Sequence, residues 1–281
     1  MRNWGKKLFG LCLLLFVVGA AGLVWLLAKQ EQFTFSLRAV NEERIVSRSI
    51  SALELSTDTT DVLIGKSNQS NAIVRLVGEA PNEERERISF SSDVGTDGTL
   101  RVHVRKQPRF SLFFMGHGHL QVQVLLPDAV YEKIILDTTT GDIRSEAIFA
   151  KQASITSSTG DIDLAGFHGG QLSIQTDTGD MKLIDVDSAL TVTSSTGDVN
   201  NVLTELARDV EIRTDTGNVR ISTAQKPAAA SLELESDSGD VQVDWPQLTY
   251  ERKEEHHVQA SVGTGGSKLF VKTATGDIRI Q

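Results

Sequence analysis

The stretch TDTGDM, at residues 176–181, is one of seven copies of a single six-residue pattern in this chain. Each copy has Thr or Ser at its first position and again at its third, followed by Gly, then Asp or Asn, then an aliphatic residue or Met. The copies begin at Thr138, Ser157, Thr176, Ser194, Thr214, Ser236 and Thr273. Successive glycines are 19, 19, 18, 20, 22 and 37 residues apart. A repeat of about twenty residues is typical of a solenoid, in which each repeat packs only against its neighbours.

Alternating apolar residues flank each copy, as in residues 172–178 before the Gly-Asp pair and 181–183 after it. Alternation with a period of two predicts a β-strand on each side. The alternating inward positions have a spacing of two residues, but Thr178 and Met181 are three residues apart. We therefore expect a bend between them that keeps both strands facing one interior. Gly supplies the backbone freedom for the bend. One rung of the solenoid is therefore predicted to be a strand, a tight corner, a second strand and a variable return loop.

The corner residues are the predicted structural turn motif of the fold. They are Gly141, Asp142, Gly160, Asp161, Gly179, Asp180, Gly197, Asp198, Gly217, Asn218, Gly239, Asp240, Gly276 and Asp277. Rungs stacked about 4.8 Å apart would align the Thr and Ser side chains as ladders of hydroxyl groups and the aliphatic side chains as a continuous core.

The corner carboxylates would also form a column of like charges, for which two explanations are open. Each Asp can accept a hydrogen bond within its own turn, or the column can bind calcium. The calcium-binding β-roll needs Gly-Gly-x-Gly-x-Asp at a nine-residue period, which this chain lacks. We therefore favour turn capping and expect no metal and no other cofactor.

The first half of the chain predicts an irregular β cap. Residues Leu53 to Ile64 repeat the corner pattern with Thr60 in place of Gly, which predicts an early rung. Further strand-like runs are Ile73 to Val77, Ile88 to Phe90, Leu100 to Val104, Leu120 to Leu126 and Lys133 to Leu136. The last spacing, 37 residues, is close to two rungs. It predicts a degenerate rung at Gln259 to Gly265, with the charged run Glu251 to His257 as an exposed insertion.

The amino terminus contains 21 uncharged residues, Leu8 to Ala28, preceded by Arg2, Lys6 and Lys7. This length and charge asymmetry predict a transmembrane anchor at 8–28 with residues 1–7 in the cytoplasm. A cleaved signal peptide is the alternative. The anchor interpretation makes 29–44 a linker and places the domain at 45–281 outside the cytoplasmic membrane, with the capping half at 45–136 and the regular repeats at 137–281. Cys12 is the single cysteine, so no disulfide joins parts of the chain.

The predicted fold class is thus an all-β parallel solenoid with rungs of about 19 residues, an irregular β cap at its amino-terminal end and one transmembrane helix before it. A net charge of −9 argues against nucleic acid as a partner. Nucleophile-elbow, phosphate-loop and zinc-protease motifs are missing from the sequence. The carboxylates and amine that a β-helix enzyme would use, Asp163, Asp185, Asp187 and Lys182, are predicted to be ordinary solvated groups.

Two further clusters have open interpretations. Phe110, Phe113 and Phe114 form an apolar run that suits either a contact patch for a partner or packing beneath the cap. The histidine pairs, His117 with His119 and His256 with His257, suit either a zinc site or flexible loops. Zinc needs three or four ligands, so loops are the favoured interpretation.

Three features of the chain together resemble the bacterial DUF4097 family. They are the Gly-Asp repeats, the segment Leu120 to Pro127 followed by Tyr131 to Ile134, and the short membrane anchor. The resemblance covers roughly residues 45–281. It implies a β-solenoid fold, a cell-envelope setting and an adhesin-like role without catalytic residues. Some similar anchored proteins belong to envelope-stress systems.

These observations predict a non-enzymatic, membrane-anchored scaffold that binds a component of the bacterial cell envelope. The predicted partners are the membrane, through the anchor, and an envelope protein or a cell-wall glycan. Two alternatives stay open: an accessory protein of an envelope-stress signalling system, and a polysaccharide-active β-helix enzyme.

Overall fold

The computed structural model describes residues 4–28, 37–107 and 118–281, which contain two helices and 21 strands. The helices are α1 (Trp4–Ala28) and α2 (Asn82–Arg85). The strands are β1 (Leu37–Val46), β2 (Ala52–Thr57), β3 (Asp61–Lys66), β4 (Ala72–Pro81), β5 (Ile88–Val94), β6 (Thr99–Lys106), β7 (Leu120–Leu126), β8 (Val130–Thr140), β9 (Ile143–Thr159), β10 (Ile162–Thr178), β11 (Met181–Ile184), β12 (Asp187–Thr196), β13 (Val199–Leu203), β14 (Val210–Thr216), β15 (Val219–Thr223), β16 (Ala230–Ser238), β17 (Val241–Val243), β18 (Thr249–Lys253), β19 (His257–Val262), β20 (Ser267–Thr275) and β21 (Ile278–Ile280). The predicted all-β class is confirmed.

Strands before the corners stack into one face, and strands after the corners stack into another. The first face runs β6, β2, β8, the second half of β9, the second half of β10, β12, β14, β20 and β16, all in parallel. The second face runs β7, β3, the first halves of β9 and β10, then β11, β13, β15, β21 and β17, also in parallel. This repeated parallel pairing is the solenoid that the sequence predicts.

The core lies between these two faces and is built from the alternating aliphatic residues. Leu172, Ile174, Met181 and Leu183, from one rung, are each at most 1% exposed. One detail of the sequence prediction was wrong. Thr178, which was expected to face inward, is exposed, so the interior phase passes from Thr176 directly to Met181. The corner rotates the chain, and the third position of the motif therefore points to solvent.

The glycine of each corner is required by both backbone conformation and space. Gly179 has a φ of 145°, and a Cβ added there would overlap the carbonyl oxygen of Gly160 in the rung beside it. The same overlap recurs at the other Gly-Asp and Gly-Asn corners that stack on a glycine, namely Gly160, Gly197, Gly217, Gly239 and Gly276. The rungs therefore approach so closely at the corner that only glycine fits.

The early rung with Thr60 is confirmed. Strands β2 and β3 form its two sides, and Gly141 of the next rung stacks on the carbonyl group of Thr60. This rung lies between β6–β7 and β8–β9, so it is stacked out of chain order. Antiparallel strands complete this end of the molecule, with β5 beside β6 and with β4 and then β1 beside β7.

The strand region begins earlier than the predicted boundary at residue 45. Strand β1 pairs with β4 over its whole length, from Leu37 opposite Pro81 to Val46 opposite Ala72. Residues 37–44, predicted as linker, are therefore part of the sheet. The alternation expected of a strand is missing from this segment, because seven of its ten residues are exposed, four are charged, and Val40 is its one buried residue.

The last repeat also stacks out of chain order, which corrects the predicted degenerate rung. Strands β20 and β21 lie between β14–β15 and β16–β17. Residues expected to form a missing corner belong instead to β19, which is antiparallel to β16, and to the loop that follows. The charged run is exposed as predicted, but part of it forms β18, which pairs with β19 at the outer edge. Insertion gives β20 two parallel partners and leaves a charged strand at the edge, where it opposes further pairing.

Helix α1 contains the predicted membrane-spanning segment. Among the residues that the structure describes, no helix has the combination of length and apolar character needed to cross a membrane. The predicted transmembrane helix at 8–28 is therefore not supported.

A hydrogen bond between Tyr131 and Pro127 stabilises the turn before the first repeat. The Tyr131 hydroxyl donates to the backbone oxygen of Pro127 at 2.9 Å, and the side chain is buried. Burial, with a smaller effect from Asp128, raises the pKa of Tyr131 to about 12. This contact fixes the turn between β7 and β8, where the regular stack begins.

Replacing Gly179 by Ala will destabilise the protein severely, because the change combines a disfavoured φ with overlap on the neighbouring rung. We expect a loss of roughly 3 kcal/mol or more in the free energy of unfolding. Gly265→Ala is the matched control, since Gly265 has a φ of 75° but nothing within 4 Å of an added Cβ. That control should lose about 1 kcal/mol. Denaturant unfolding of both variants makes the comparison, and equal losses would refute the close approach.

Candidate functional site

The corner carboxylates bind the neighbouring rung and not their own turn. The backbone N–H of Asp161 donates to Oδ1 of Asp142 at 3.1 Å, and the N–H of Asp180 donates to Oδ1 of Asp161 at 2.9 Å. The same bond continues through the whole column, from Asp61 to Asp240, at 2.8 to 3.1 Å. Capping of each turn by its own Asp was therefore the wrong prediction. Because the corners stack in register, each carboxylate lies beside the next N–H along the stack.

Asn218 divides this column into two charged parts. Its Nδ2 donates to Oδ1 of Asp198 at 3.2 Å, and its Oδ1 accepts from the N–H of Asp277 at 2.9 Å. It thus keeps the ladder continuous while removing one negative charge. Arg144 offsets part of the remaining charge, since its guanidinium lies 3.2 Å from Asp142 and 3.4 Å from Asp163. Within the described ranges, no three or more His, Cys, Asp or Glu side chains are grouped so as to hold a metal ion.

The first Thr or Ser of each motif forms the expected ladder of buried hydroxyl groups. In stacking order its members are Thr57, Thr138, Ser157, Thr176, Ser194, Thr214, Thr273 and Ser236, each at most 4% exposed. Ser236 donates to the carbonyl oxygen of Gly276 at 2.9 Å, and Thr273 to that of Gly217 at 3.2 Å. The side chains of the ladder face the interior, and four of them, Thr138, Ser157, Ser194 and Thr214, have no hydrogen-bond partner among the described residues.

The other predicted clusters do not converge on one place. His256 lies 2.7 Å from the backbone oxygen of Gly239, whereas His119 lies 3.3 Å from Asp61 at a different end of the stack. Phe110, Phe113, Phe114 and His117 lie outside the described residues. The contact patch proposed for the three phenylalanines stays a prediction.

The four residues considered for a β-helix enzyme separate into two groups. Asp163 pairs with Arg144, and Lys182 is exposed on the face after the corner. Asp185 and Asp187, by contrast, both line a cleft on the return side of the solenoid.

A second bend in the rung produces this cleft. Ala147, Gly166 and Asp185 occupy equivalent places in three successive rungs and have φ values of 50°, 70° and 53°. In the next rung, residues 204–209 form a return between β13 and β14 that is outside the strands. The space left between the two returns has a volume of about 220 Å³. Its lining comprises His168, Asp185, Val186, Asp187, Ser188, Leu203, Thr204, Glu205, Leu206, Ala207, Arg208 and Val210. We call it the return cleft.

The floor of the return cleft is apolar and its rim is polar. Val186, Leu203, Leu206 and Val210 are buried. They form the floor and are shared with the core of the solenoid. Ser188 is also buried, at 1% exposure, and its Oγ has no hydrogen-bond partner among the described residues.

Charged and hydroxyl groups around the rim lie close to one another. Arg208 Nε lies 3.4 Å from Asp187 Oδ1, and Thr204 Oγ1 donates to Asp185 Oδ1 at 3.2 Å. His168 Nε2 lies 3.7 Å from the other oxygen of Asp185. The His168 ring stacks on Phe149, with 5.3 Å between ring centroids. The rim therefore presents hydrogen-bond donors and acceptors above an apolar floor.

Sequence reasoning missed most of this cleft. Ser188, Leu206, Arg208 and His168 belong to no sequence motif. One signal was present in the repeat spacing, which shortens to 18 residues before Gly197 and lengthens to 20 after it. A short return beside a longer one leaves space between two rungs that otherwise stack in contact.

A protein-family model described as Toastrack DUF4097 matches residues 115–281. No curated protein matches the chain.

Several solved structures resemble the chain at low sequence identity. A Clostridium sporogenes protein described as a candidate cell adhesion protein has 14% identity and a TM-score of 0.41, covering 86% of this chain and 99% of its own. A candidate adhesin of Bacteroides fragilis has 10% identity and a TM-score of 0.46, covering 88% and 99%. A candidate lipid-binding protein of Parabacteroides distasonis has 10% identity and a TM-score of 0.38, covering 86% and 97%. Likenesses at this level carry no argument about ligand or activity.

Replacing Asn218 by Asp will weaken the fold by restoring a carboxylate beside Asp198. The new side chain keeps the acceptor for the N–H of Asp277 but loses the Nδ2 donor. Like charges placed directly opposite each other on neighbouring strands are destabilising, and we expect a loss of about 1 kcal/mol at neutral pH. Urea unfolding at pH 7 and low salt measures it.

Asn200→Asp is the control with the same change in charge. Asn200 pairs in register with Lys182 on one side and Arg220 on the other. A carboxylate there should leave stability unchanged or raise it slightly. If the free energy of unfolding falls equally in both variants, the destabilisation does not arise from repulsion within the column of corner carboxylates.

Proposed function

The chain belongs to the Toastrack DUF4097 family, and we propose that it is a non-enzymatic binding scaffold of the bacterial cell envelope. The return cleft is the observation that carries the proposal. The corners and ladders repeat from rung to rung, and repetition of this kind serves folding. In the cleft, side chains that differ from rung to rung gather around a pocket with an apolar floor and a polar rim. That combination is typical of ligand sites.

We favour binding over catalysis because the two cleft carboxylates already have partners. Asp187 is held by Arg208, and Asp185 by Thr204 and His168. These contacts leave both carboxylates available at the rim as hydrogen-bond acceptors. A rigid stack that presents such a site suits an adhesin-like role, in which the protein holds an envelope component without converting it.

We propose further that the strand domain acts outside the cytoplasmic membrane. Arg2, Lys6 and Lys7 precede the uncharged segment Leu8 to Ala28. Positive residues before an apolar segment favour retention of the amino terminus in the cytoplasm. Protease added to intact spheroplasts should digest the strand domain, and full protection would contradict this location.

A pull-down with the purified full-length chain tests the proposed function. The baits are insoluble peptidoglycan sacculi and, separately, detergent-solubilised membrane proteins, each with calcium and with a chelator. We expect saturable retention on sacculi that does not depend on calcium. The Gly179→Ala variant, whose stack should be disrupted, is the control for binding that needs the fold. Selective capture of one membrane protein would instead favour the signalling alternative, and retention on neither bait would refute the proposal.

A further inference from the structure

We propose that the return cleft binds a single sugar ring, neutral or N-acetylated, of an envelope glycan. This inference rests on the proposed function and names the ligand class of the same site. It is carried by the size of the cleft, by the chemistry of its floor and rim, and by the charge of its lining.

The volume of the cleft sets an upper limit on the ligand. About 220 Å³ lies below the range of roughly 300 to 1,000 Å³ that encloses drug-sized molecules. A space of this size suits one ring, with the rest of a glycan chain continuing into solvent. The exposed residues at the rim, including Ala207 and Arg208, leave that direction open.

The lining matches the two kinds of surface that a sugar ring presents. A pyranose has faces of C–H groups and edges of hydroxyl groups that both donate and accept hydrogen bonds. The floor offers Val186 and Leu206 to a C–H face. The rim offers the carboxylates of Asp185 and Asp187 as acceptors and the guanidinium of Arg208 as a donor.

Ser188 adds one polar group to the lining of the cleft. Its Oγ is buried and has no hydrogen-bond partner among the described residues, as is also true of several hydroxyl groups of the inward-facing ladder. Because that oxygen has almost no exposed surface, the exposed polar groups of the rim carry the recognition of the ligand.

The charge of the lining excludes strongly anionic sugars. Asp185, Asp187 and Glu205 contribute three carboxylates, and Arg208 is the one guanidinium in the lining. A phosphate or uronate would meet unfavourable charge there. Neutral hexoses and N-acetylated sugars avoid it while still using the acceptors.

The test measures saturable binding of N-acetylglucosamine, its β-1,4-linked tetramer, glucose and glucuronate to the full-length chain by ligand-detected NMR and calorimetry. We expect a neutral or N-acetylated sugar to bind and glucuronate to bind at least tenfold more weakly. The N-acetylglucosamine tetramer and glucose distinguish a peptidoglycan-like source from another polysaccharide. Absence of saturable binding by every neutral sugar would overturn the inference.

Variants locate the binding. Ala207→Trp fills the cleft from its exposed rim and should weaken binding at least tenfold. Ala39→Trp, at an exposed alanine of β1 that is outside the cleft lining, should not. Arg208→Ala should weaken binding about tenfold. Its charge-matched control is Arg220→Ala, on the face after the corner.

The outcomes separate this inference from the proposed function. Retention on sacculi by both the wild type and Ala207→Trp would place glycan binding elsewhere, leaving the scaffold proposal intact and the cleft refuted. Loss of retention only in the cleft variants supports both. Release of reducing ends from the tetramer would refute binding without catalysis.

Discussion

The structure depends on the contact between one Gly-Asp corner and the next. At that contact a glycine lies against the carbonyl group of the glycine beside it, and the aspartate accepts the backbone N–H of its neighbour. Both features require the rungs to be in register, because a shift by one residue would bring a Cβ into the carbonyl group and move the N–H away from the carboxylate. The corner thereby fixes which residues face inward on both adjoining strands. The aliphatic core and the hydroxyl ladder follow from that register.

Because the register is set locally, the stack tolerates a change in the order of its rungs. The Thr60 rung lies beside β8–β9 although β4 to β7 intervene in the chain, and the Gly276 rung lies between those of Gly217 and Gly239. In each case the chain leaves the stack, forms antiparallel strands at an end, and returns to an inner place. The two ends are thus covered by strands of a different direction, which limits edge-to-edge association.

The sequence was sufficient for the features that one rung determines by itself. The pattern around Gly179 predicts two strands and a corner, and the same pattern identifies the Thr60 rung without its glycine. The sequence was insufficient for the stacking order of the rungs, because the same motif fits beside any other rung. The motif at Thr273, for example, pairs with the motif at Thr214 on one side and with the motif at Ser236 on the other. The sequence was also insufficient at the second bend, because Ala147, Gly166 and Asp185 share a positive φ but no residue type. The return cleft depends on that bend and on unequal return lengths, so its residues carry no common signal.

The molecule therefore consists of a stack of repeated rungs and one irregular site, the return cleft. Contacts between the Gly-Asp corners, and not the order of the rungs in the chain, determine how the rungs stack. Disulfide formation in a Cys12→Ser background tests it most directly. Arg213 is paired with Lys272 and Lys272 with Glu235, so Arg213 and Glu235 are two strand spacings apart, roughly 9.6 Å. We predict that the pair Arg213→Cys with Lys272→Cys crosslinks under mild oxidation and that Arg213→Cys with Glu235→Cys does not. The reverse result would mean that the rungs stack in chain order and would contradict the account.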